Sequence, residues 1–144
     1  MILKSELSKI VNTQQQELAK DLGISREINV KLFQKFVTII TGIRRCGKST
    51  FARQLLQNFD TVYFLNFEDI RLARFELEDF IKLEEIFRAE MGNDGVFFFD
   101  EIQLIQNWEQ YIRQLVDKDE KVLITGSNAA MLSNEIGSRL TGRH

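Results

Sequence analysis

Hydrophobic residues recur at helical intervals over residues 1–22, just before Gly23, and glycine commonly follows the last turn of a helix. The pattern predicts an amphipathic helix whose apolar side is formed by Leu3, Leu7, Ile10, Val11 and Leu18. Such a helix either packs on the core of its own chain or docks on a partner, and packing on the core is the usual outcome.

Four short runs of apolar and β-branched residues predict buried strands at 36–41, 62–67, 96–99 and 121–125. Between these strands, apolar residues recur at helical spacing and predict three helices. The three groups are Phe51, Leu55, Leu56 and Phe59; Leu77, Phe80, Ile81, Phe87 and Met91; and Leu104, Trp108, Tyr111, Ile112 and Leu115. A turn is predicted at residues 92–95. This alternation predicts right-handed βαβ units, a mostly parallel sheet with helices on both faces, and ligands at the carboxyl ends of the strands.

Composition fits one globular domain, because the 144 residues are 44% hydrophobic and 28% charged. The net charge of −2 gives no support for binding to nucleic acid or anionic lipid, and no apolar run is long enough to cross a membrane. One cysteine excludes an intramolecular disulfide, and with a single histidine it excludes the usual Cys/His zinc site. We therefore expect a cytoplasmic protein. Since that histidine, His144, is the last residue, catalysis through a Ser-His-Asp or Cys-His system is not expected.

The segment after the first predicted strand matches the phosphate-binding pattern GxxxxGK[ST], and a predicted helix follows it. Its glycines let backbone N–H groups wrap a phosphate, which also faces the positive end of that helix. Lys48 is predicted to reach the β and γ phosphates, and the Ser49 hydroxyl to bind Mg²⁺. The predicted nucleotide-binding residues are Gly42, Ile43, Arg44, Arg45, Cys46, Gly47, Lys48, Ser49 and Thr50.

Three residues inside this loop have alternative interpretations. Arg44 and Arg45 either brace a phosphate or a neighbouring subunit, or are solvated charges that contribute little. Cys46 lies beside the phosphate-binding amides and near Lys48, which favours the thiolate, but the chain offers no second cysteine to resolve its oxidation.

The third predicted strand ends in a pair of carboxylates. Asp100 is predicted to hold Mg²⁺ together with Ser49, as in P-loop nucleotide hydrolases. Glu101 is predicted to orient a water molecule and to accept its proton as it attacks the γ-phosphorus. A kinase would instead have to position a substrate hydroxyl.

Polar residues also follow the fourth predicted strand. If this strand lies between the phosphate-loop strand and the acidic-pair strand, Ser127 or Asn128 directs a polar group toward the γ-phosphate and the attacking water. Ser and Asn are also common helix N-caps, and the residues after Asn128 look like a helix start, so both roles stay open.

Taken together, several segments resemble the prokaryotic AAA+-type P-loop ATPases. The resemblance covers about residues 33–144, and it rests on GIRRCGKST at 42–50, LNFED at 65–69, FDEIQ at 99–103, TGS at 125–127 and LTGR at 140–143. In the terms used for that family, the first segment is its Walker A motif, and Asp100 with Glu101 is its Walker B pair. The phosphate loop alone would identify only the superfamily.

The resemblance implies a three-layer α/β P-loop NTPase fold of the AAA+/ASCE type with strand order 5-1-4-3-2, and ATP and Mg²⁺ as ligands. It further implies that the chain is an amino-terminal part of a longer protein, truncated before the fifth strand and the lid. We expect a helical segment at 1–30 and an incomplete ATPase core at 31–144. In the wider superfamily an arginine after the fourth strand reaches a neighbour's γ-phosphate; Arg139 and Arg143 are the candidates, which implies a homo-oligomer.

These observations favour a Mg²⁺-dependent ATPase. The alternative is a nucleotide-gated switch or oligomerisation module in which ATP sets the conformation and turnover is slight. A small-molecule kinase fits Glu101 less well.

Overall fold

The computed structural model describes residues 1–21, 37–41, 56 and 59–126. These residues include three helices, α1 (Lys4–Asp21), α2 (Asp79–Met91) and α3 (Trp108–Asp117), and four strands, β1 (Val37–Thr41), β2 (Val62–Asn66), β3 (Val96–Asp100) and β4 (Val122–Gly126). Short 3-10 turns cover Ile70–Leu72 and Ile102–Leu104. The four predicted strands are thus confirmed, each within one residue of its predicted ends apart from Phe36, which lies outside the described residues.

The described strands form one parallel sheet in the order β1-β4-β3-β2. This confirms the predicted α/β fold class, including the 1-4-3-2 part of the strand order that the resemblance implies. β4 pairs with both β1 and β3. The fourth strand therefore lies between the phosphate-loop strand and the acidic-pair strand, which is the condition for the predicted roles of Ser127 and Asn128. All four strands point their carboxyl ends to the same edge, where ligands of such folds bind.

The central strands are continuously apolar because both faces of the sheet are covered. Alternate residues of β3 divide between the faces: Phe97 and Phe99 join the cluster under α2 and α3, while Val96 and Phe98 join Leu56 and Phe59 on the other side. The larger cluster is rich in rings, for example the stacked rings of Phe80 and Tyr111 with centroids 4.4 Å apart. Each such pair contributes about 0.5–1.5 kcal/mol beyond its buried area.

Helix α2 ends as the sequence predicts, in a turn at residues 92–95. Gly92 adopts a φ of 86°, which glycine tolerates, and its N–H bonds the Arg88 carbonyl at 3.0 Å. The Tyr63 hydroxyl donates to the Gly92 carbonyl oxygen. Gly95 packs against the Tyr63 ring, so closely that a Cβ there would lie 2.5 Å from it. The turn is therefore anchored to β2.

Ile81 and Leu104, both predicted on buried helical stripes, are exposed instead. Ile81 is 63% exposed because the buried side of α2 runs through Phe80, Leu83 and Phe87. Leu104 is 56% exposed and belongs to a 3-10 turn. Helix α3 starts only at Trp108, since Asn107 has a φ of 64°, which a continuous α-helix does not allow.

Helix α1 packs on the core of its own chain, the first of the two alternatives. Leu7, Ile10 and Val11 belong to the larger apolar cluster, as predicted, whereas Leu3 is 67% exposed and its neighbour Ile2 is buried. The boundary predicted at residue 30 lies outside the described residues, so the division of the chain there stays a prediction. The helix predicted around 51–59 also lies outside them, apart from Leu56 and Phe59.

Side-chain amides of α1 also close the outer edge of β2. Gln14 accepts a hydrogen bond from the Asn66 N–H at 2.6 Å and donates to the Asn66 carbonyl at 3.2 Å. Gln15 accepts from the Phe64 N–H at 3.1 Å. These are the backbone groups that a further strand would otherwise bond, so α1 protects an edge that is prone to unwanted pairing.

Candidate functional site

The acidic pair lies where the sequence places it, at the carboxyl end of β3. Asp100 is the last residue of the strand, and both Asp100 and Glu101 are only 3% exposed. β1 ends at the same edge with Thr41, directly before the phosphate-loop motif. With β4 between them, β1 and β3 are two strand spacings apart, about 10 Å. The edge therefore brings the start of the loop motif and the carboxylates to a distance that a nucleotide phosphate chain and a metal ion can bridge.

One hydroxyl holds the end of β3 in place. Thr125, fully buried in β4, donates a hydrogen bond to Asp100 Oδ1 and accepts one from the Glu101 N–H at 3.0 Å. Its position follows from the register, because Phe99 pairs with Ile124 and the next residues of the two strands are Asp100 and Thr125. A single side chain thus fixes the carboxylate of Asp100 and the backbone of Glu101.

Glu101 leaves the strand through an unusual backbone conformation. Its φ of 57° and ψ of 46° lie in the left-handed region, which residues other than glycine occupy rarely. Such a conformation costs of order 1–3 kcal/mol and tends to occur at functional sites. The kink ends β3 and starts the 3-10 turn Ile102–Leu104. From that turn, Gln103 Nε2 donates to Glu101 Oε1 at 2.9 Å.

The tip of β2 forms the outer side of this edge. Asn66 is in register with Asp100, and the next N–H, that of Phe67, bonds the Asp100 carbonyl at 2.9 Å. Asp69 follows, and a hydrogen bond from the Arg71 side chain lowers the pKa of its carboxyl to about 2. The Arg71 Nη2 lies 2.6 Å from Asp69 Oδ2, and Gln14 also donates to that oxygen at 3.1 Å. The segment therefore carries an ionised carboxylate that is already engaged in structural contacts.

Comparison with known proteins assigns the family. A family described as an AAA domain matches residues 34–144. This chain belongs to that AAA domain family.

Two relatives extend the comparison. The AAA domain chain is 37% identical to an uncharacterized protein of Methanocaldococcus jannaschii, over 100% of this chain and 33% of that protein. It is 32% identical to an uncharacterized protein of Haemophilus influenzae, over 76% of this chain and 30% of that protein. The chain thus spans about a third of the length of these curated relatives. Family membership supports an ATPase-like, nucleotide-binding domain.

The described part of the site suits a magnesium ion. Mg²⁺ prefers oxygen ligands, and it is typically held by one or two protein groups together with substrate phosphates and water. Asp100 supplies a carboxylate that the Thr125 hydroxyl holds at the ligand edge of the sheet. The donor type and its placement both fit, and Asp100 is a described residue that would hold the ion.

The other predicted site residues of this AAA domain lie outside the described residues. These are the loop residues 42–50, and Ser127, Asn128, Arg139 and Arg143. Their predicted roles stay predictions. No helix in the part of the chain that the structure describes is both long and apolar enough to cross a membrane.

Sequence reasoning missed two residues at the site. Thr125 is predicted as part of a strand and is quoted within the TGS motif without a role, although a polar residue at the end of an apolar run is the signal that could have identified it. Gln103 was quoted within the family motif without a role, and only the fold shows that its amide faces Glu101.

Proposed function

We propose that this AAA domain binds ATP with Mg²⁺ in the cytoplasm and hydrolyses it. One observation carries the proposal: Asp100 and Glu101 are buried at the carboxyl edge of the sheet and are held there by Thr125, at the edge to which the phosphate-loop strand also leads. The match of the chain to the AAA domain family supports it.

In this proposal the loop residues 42–50 wrap the phosphates with their backbone N–H groups, and Lys48 neutralises charge on the β and γ phosphates. Asp100 and Ser49 hold the metal ion. When bound, Mg²⁺ supplies charge neutralisation on the phosphates and helps to orient them. Asp100 contributes a carboxylate whose orientation Thr125 has already fixed, so little reorganisation is needed on binding.

Glu101 acts on the water. Its carboxylate orients the water and accepts a proton as the water oxygen forms a bond to the γ-phosphorus. The bond from that phosphorus to the oxygen bridging the β and γ phosphates breaks, and ADP and phosphate are released. Ser127 or Asn128 contacts the γ-phosphate side of the site, and Arg139 or Arg143 serves a neighbouring subunit in a homo-oligomer.

Nucleotide binding is tested first, by calorimetric titration of the purified protein with ATP and Mg²⁺. We expect saturable binding, and binding at least about 10-fold weaker in Lys48→Ala, because a charge-assisted contact to phosphate is lost. Lys118→Ala removes an exposed lysine and serves as the control.

Equal affinities of Lys48→Ala and Lys118→Ala would contradict the loop assignment. Binding by the unmodified protein without any phosphate release would contradict the hydrolysis and favour the nucleotide-gated switch.

A further inference from the structure

The side-chain amide of Gln103 contacts the carboxylate of Glu101. Gln103 Nε2 lies 2.9 Å from Glu101 Oε1. A carboxylate accepts hydrogen bonds and an amide oxygen cannot donate one, so the chemistry requires the NH₂ end of the amide to face Glu101. The orientation of this amide is therefore determined by its partner.

Within the described part of the chain, the oxygen end of the same amide has no hydrogen-bond partner. Among the described residues, Gln103 Oε1 is a buried side-chain oxygen that accepts no hydrogen bond. Gln14 provides the contrast, because its amide oxygen accepts from Asn66 and its nitrogen donates to Asn66 and Asp69. Buried polar atoms are normally satisfied, and an exception requires an explanation. An unsatisfied buried oxygen lowers the stability of the fold, which indicates that Gln103 has a role other than stabilisation.

The backbone and the carboxylate of Glu101 are held by different contacts, and this difference indicates what the Gln103 contact does. The Thr125 hydroxyl and the left-handed backbone fix where the Glu101 side chain begins. They do not fix where it ends, since glutamate has three rotatable side-chain bonds. The contact from Gln103 acts at the far end, on the carboxylate itself.

We propose that Gln103 is a positioning residue for Glu101. Its NH₂ group holds one carboxylate oxygen and thereby directs the other toward the attacking water. This inference rests on the proposed function of Glu101 as the group that activates water. Gln103 acts through Glu101 and does not itself take part in the proton transfer.

Gln103→Met tests this role, because methionine is of similar length and lacks the amide. We expect kcat for ATP hydrolysis to fall about 10- to 100-fold, as for a misplaced catalytic group, with KM and ATP affinity unchanged. The melting temperature should stay equal or rise, since the unpaired buried oxygen is removed together with the amide. Gln110→Met, at an exposed position on α3, is the matched control and should change neither quantity.

A further measurement needs no turnover. Side-chain amide NMR resonances of Gln103, identified by their loss in Gln103→Met, should shift in Glu101→Ala without nucleotide. Unshifted resonances would overturn the contact. A kcat equal to that of Gln110→Met, with or without a lower melting temperature, would overturn the positioning role.

Glu101→Gln, measured in parallel, separates the two proposals. If it abolishes turnover while Gln103→Met does not, the positioning role alone fails. If it turns over ATP like the unmodified protein, or if that protein has no turnover, the proposed function fails instead. The double variant should be no slower than Glu101→Gln, because Gln103 acts only through that carboxylate.

Discussion

At the scale of single residues, the site depends on side chains that bond one another. Thr125 uses its hydrogen for Asp100 and its oxygen for the Glu101 N–H, so that one hydroxyl links the proposed metal ligand to the proposed base. Both carboxylates are almost completely buried. Hydrogen bonds among the side chains of a site limit the reorganisation needed when substrate binds.

Removing the Thr125 hydroxyl should therefore affect stability and activity together. Thr125→Val removes one hydrogen bond from the Asp100 carboxylate and one from the Glu101 N–H, and we expect the free energy of unfolding to fall by about 1–3 kcal/mol. The dependence of hydrolysis on Mg²⁺ should shift to higher concentrations. Urea unfolding and phosphate release over a Mg²⁺ series measure the two effects.

Thr125→Ser is the control, because serine keeps the hydroxyl. It should retain most of the stability and the Mg²⁺ dependence. If the Val and Ser variants behave alike in both assays, the hydroxyl does not hold the acidic pair.

The sequence identifies some of these residues and not others. Asp100 and Glu101 were predicted because two acidic residues directly after an apolar strand form a local pattern. The contact of Thr125 depends on which strands are neighbours, and that of Gln103 depends on the left-handed kink at Glu101. Neither follows from spacing along the chain.

At the scale of elements, α1 covers the outer edge of β2, which is an edge strand of the described sheet. Gln14 and Gln15 bond the outward backbone groups of β2, and Gln14 also reaches Asp69. The apolar residues of α1 predict the helix, but they do not predict that its glutamines bond the edge of β2. Hydrophobic periodicity shows which side of a helix is buried, whereas edge protection requires knowing where the sheet ends.

The two glutamines Gln14 and Gln16 allow a matched test of this edge. Gln14→Ala removes three hydrogen bonds, and we expect it to lower the free energy of unfolding by about 1–3 kcal/mol. Gln16→Ala, at an exposed position of the same helix, should change it by no more than about 0.5 kcal/mol. Urea unfolding measures both.

Equal stabilities of the two alanine variants would show that the amide contacts of Gln14 contribute nothing to the edge. Because both changes introduce the same residue into the same helix, helix propensity cancels between them.

At the scale of the whole molecule, strand order connects the separate motifs. The order β1-β4-β3-β2 puts the end of the phosphate-loop strand and the acidic pair at one edge, with β4 and Thr125 between them. Alternating strands and helices predicted the parallel sheet, and the resemblance to AAA+-type ATPases supplied the order. Hydrophobic periodicity alone could not predict the strand order, because many strand orders are compatible with the same alternation of strands and helices.

The most direct test of the central claim is ATP hydrolysis by Glu101→Gln, measured as phosphate release with Mg²⁺ beside calorimetric ATP binding. We predict that turnover falls about 10²- to 10⁴-fold while binding is retained, because the carboxylate that accepts the proton is replaced by a neutral amide of the same shape. Glu109→Gln, on α3, makes the same change away from the site and should leave the rate unchanged. Equal turnover by Glu101→Gln and the unmodified protein would contradict the account.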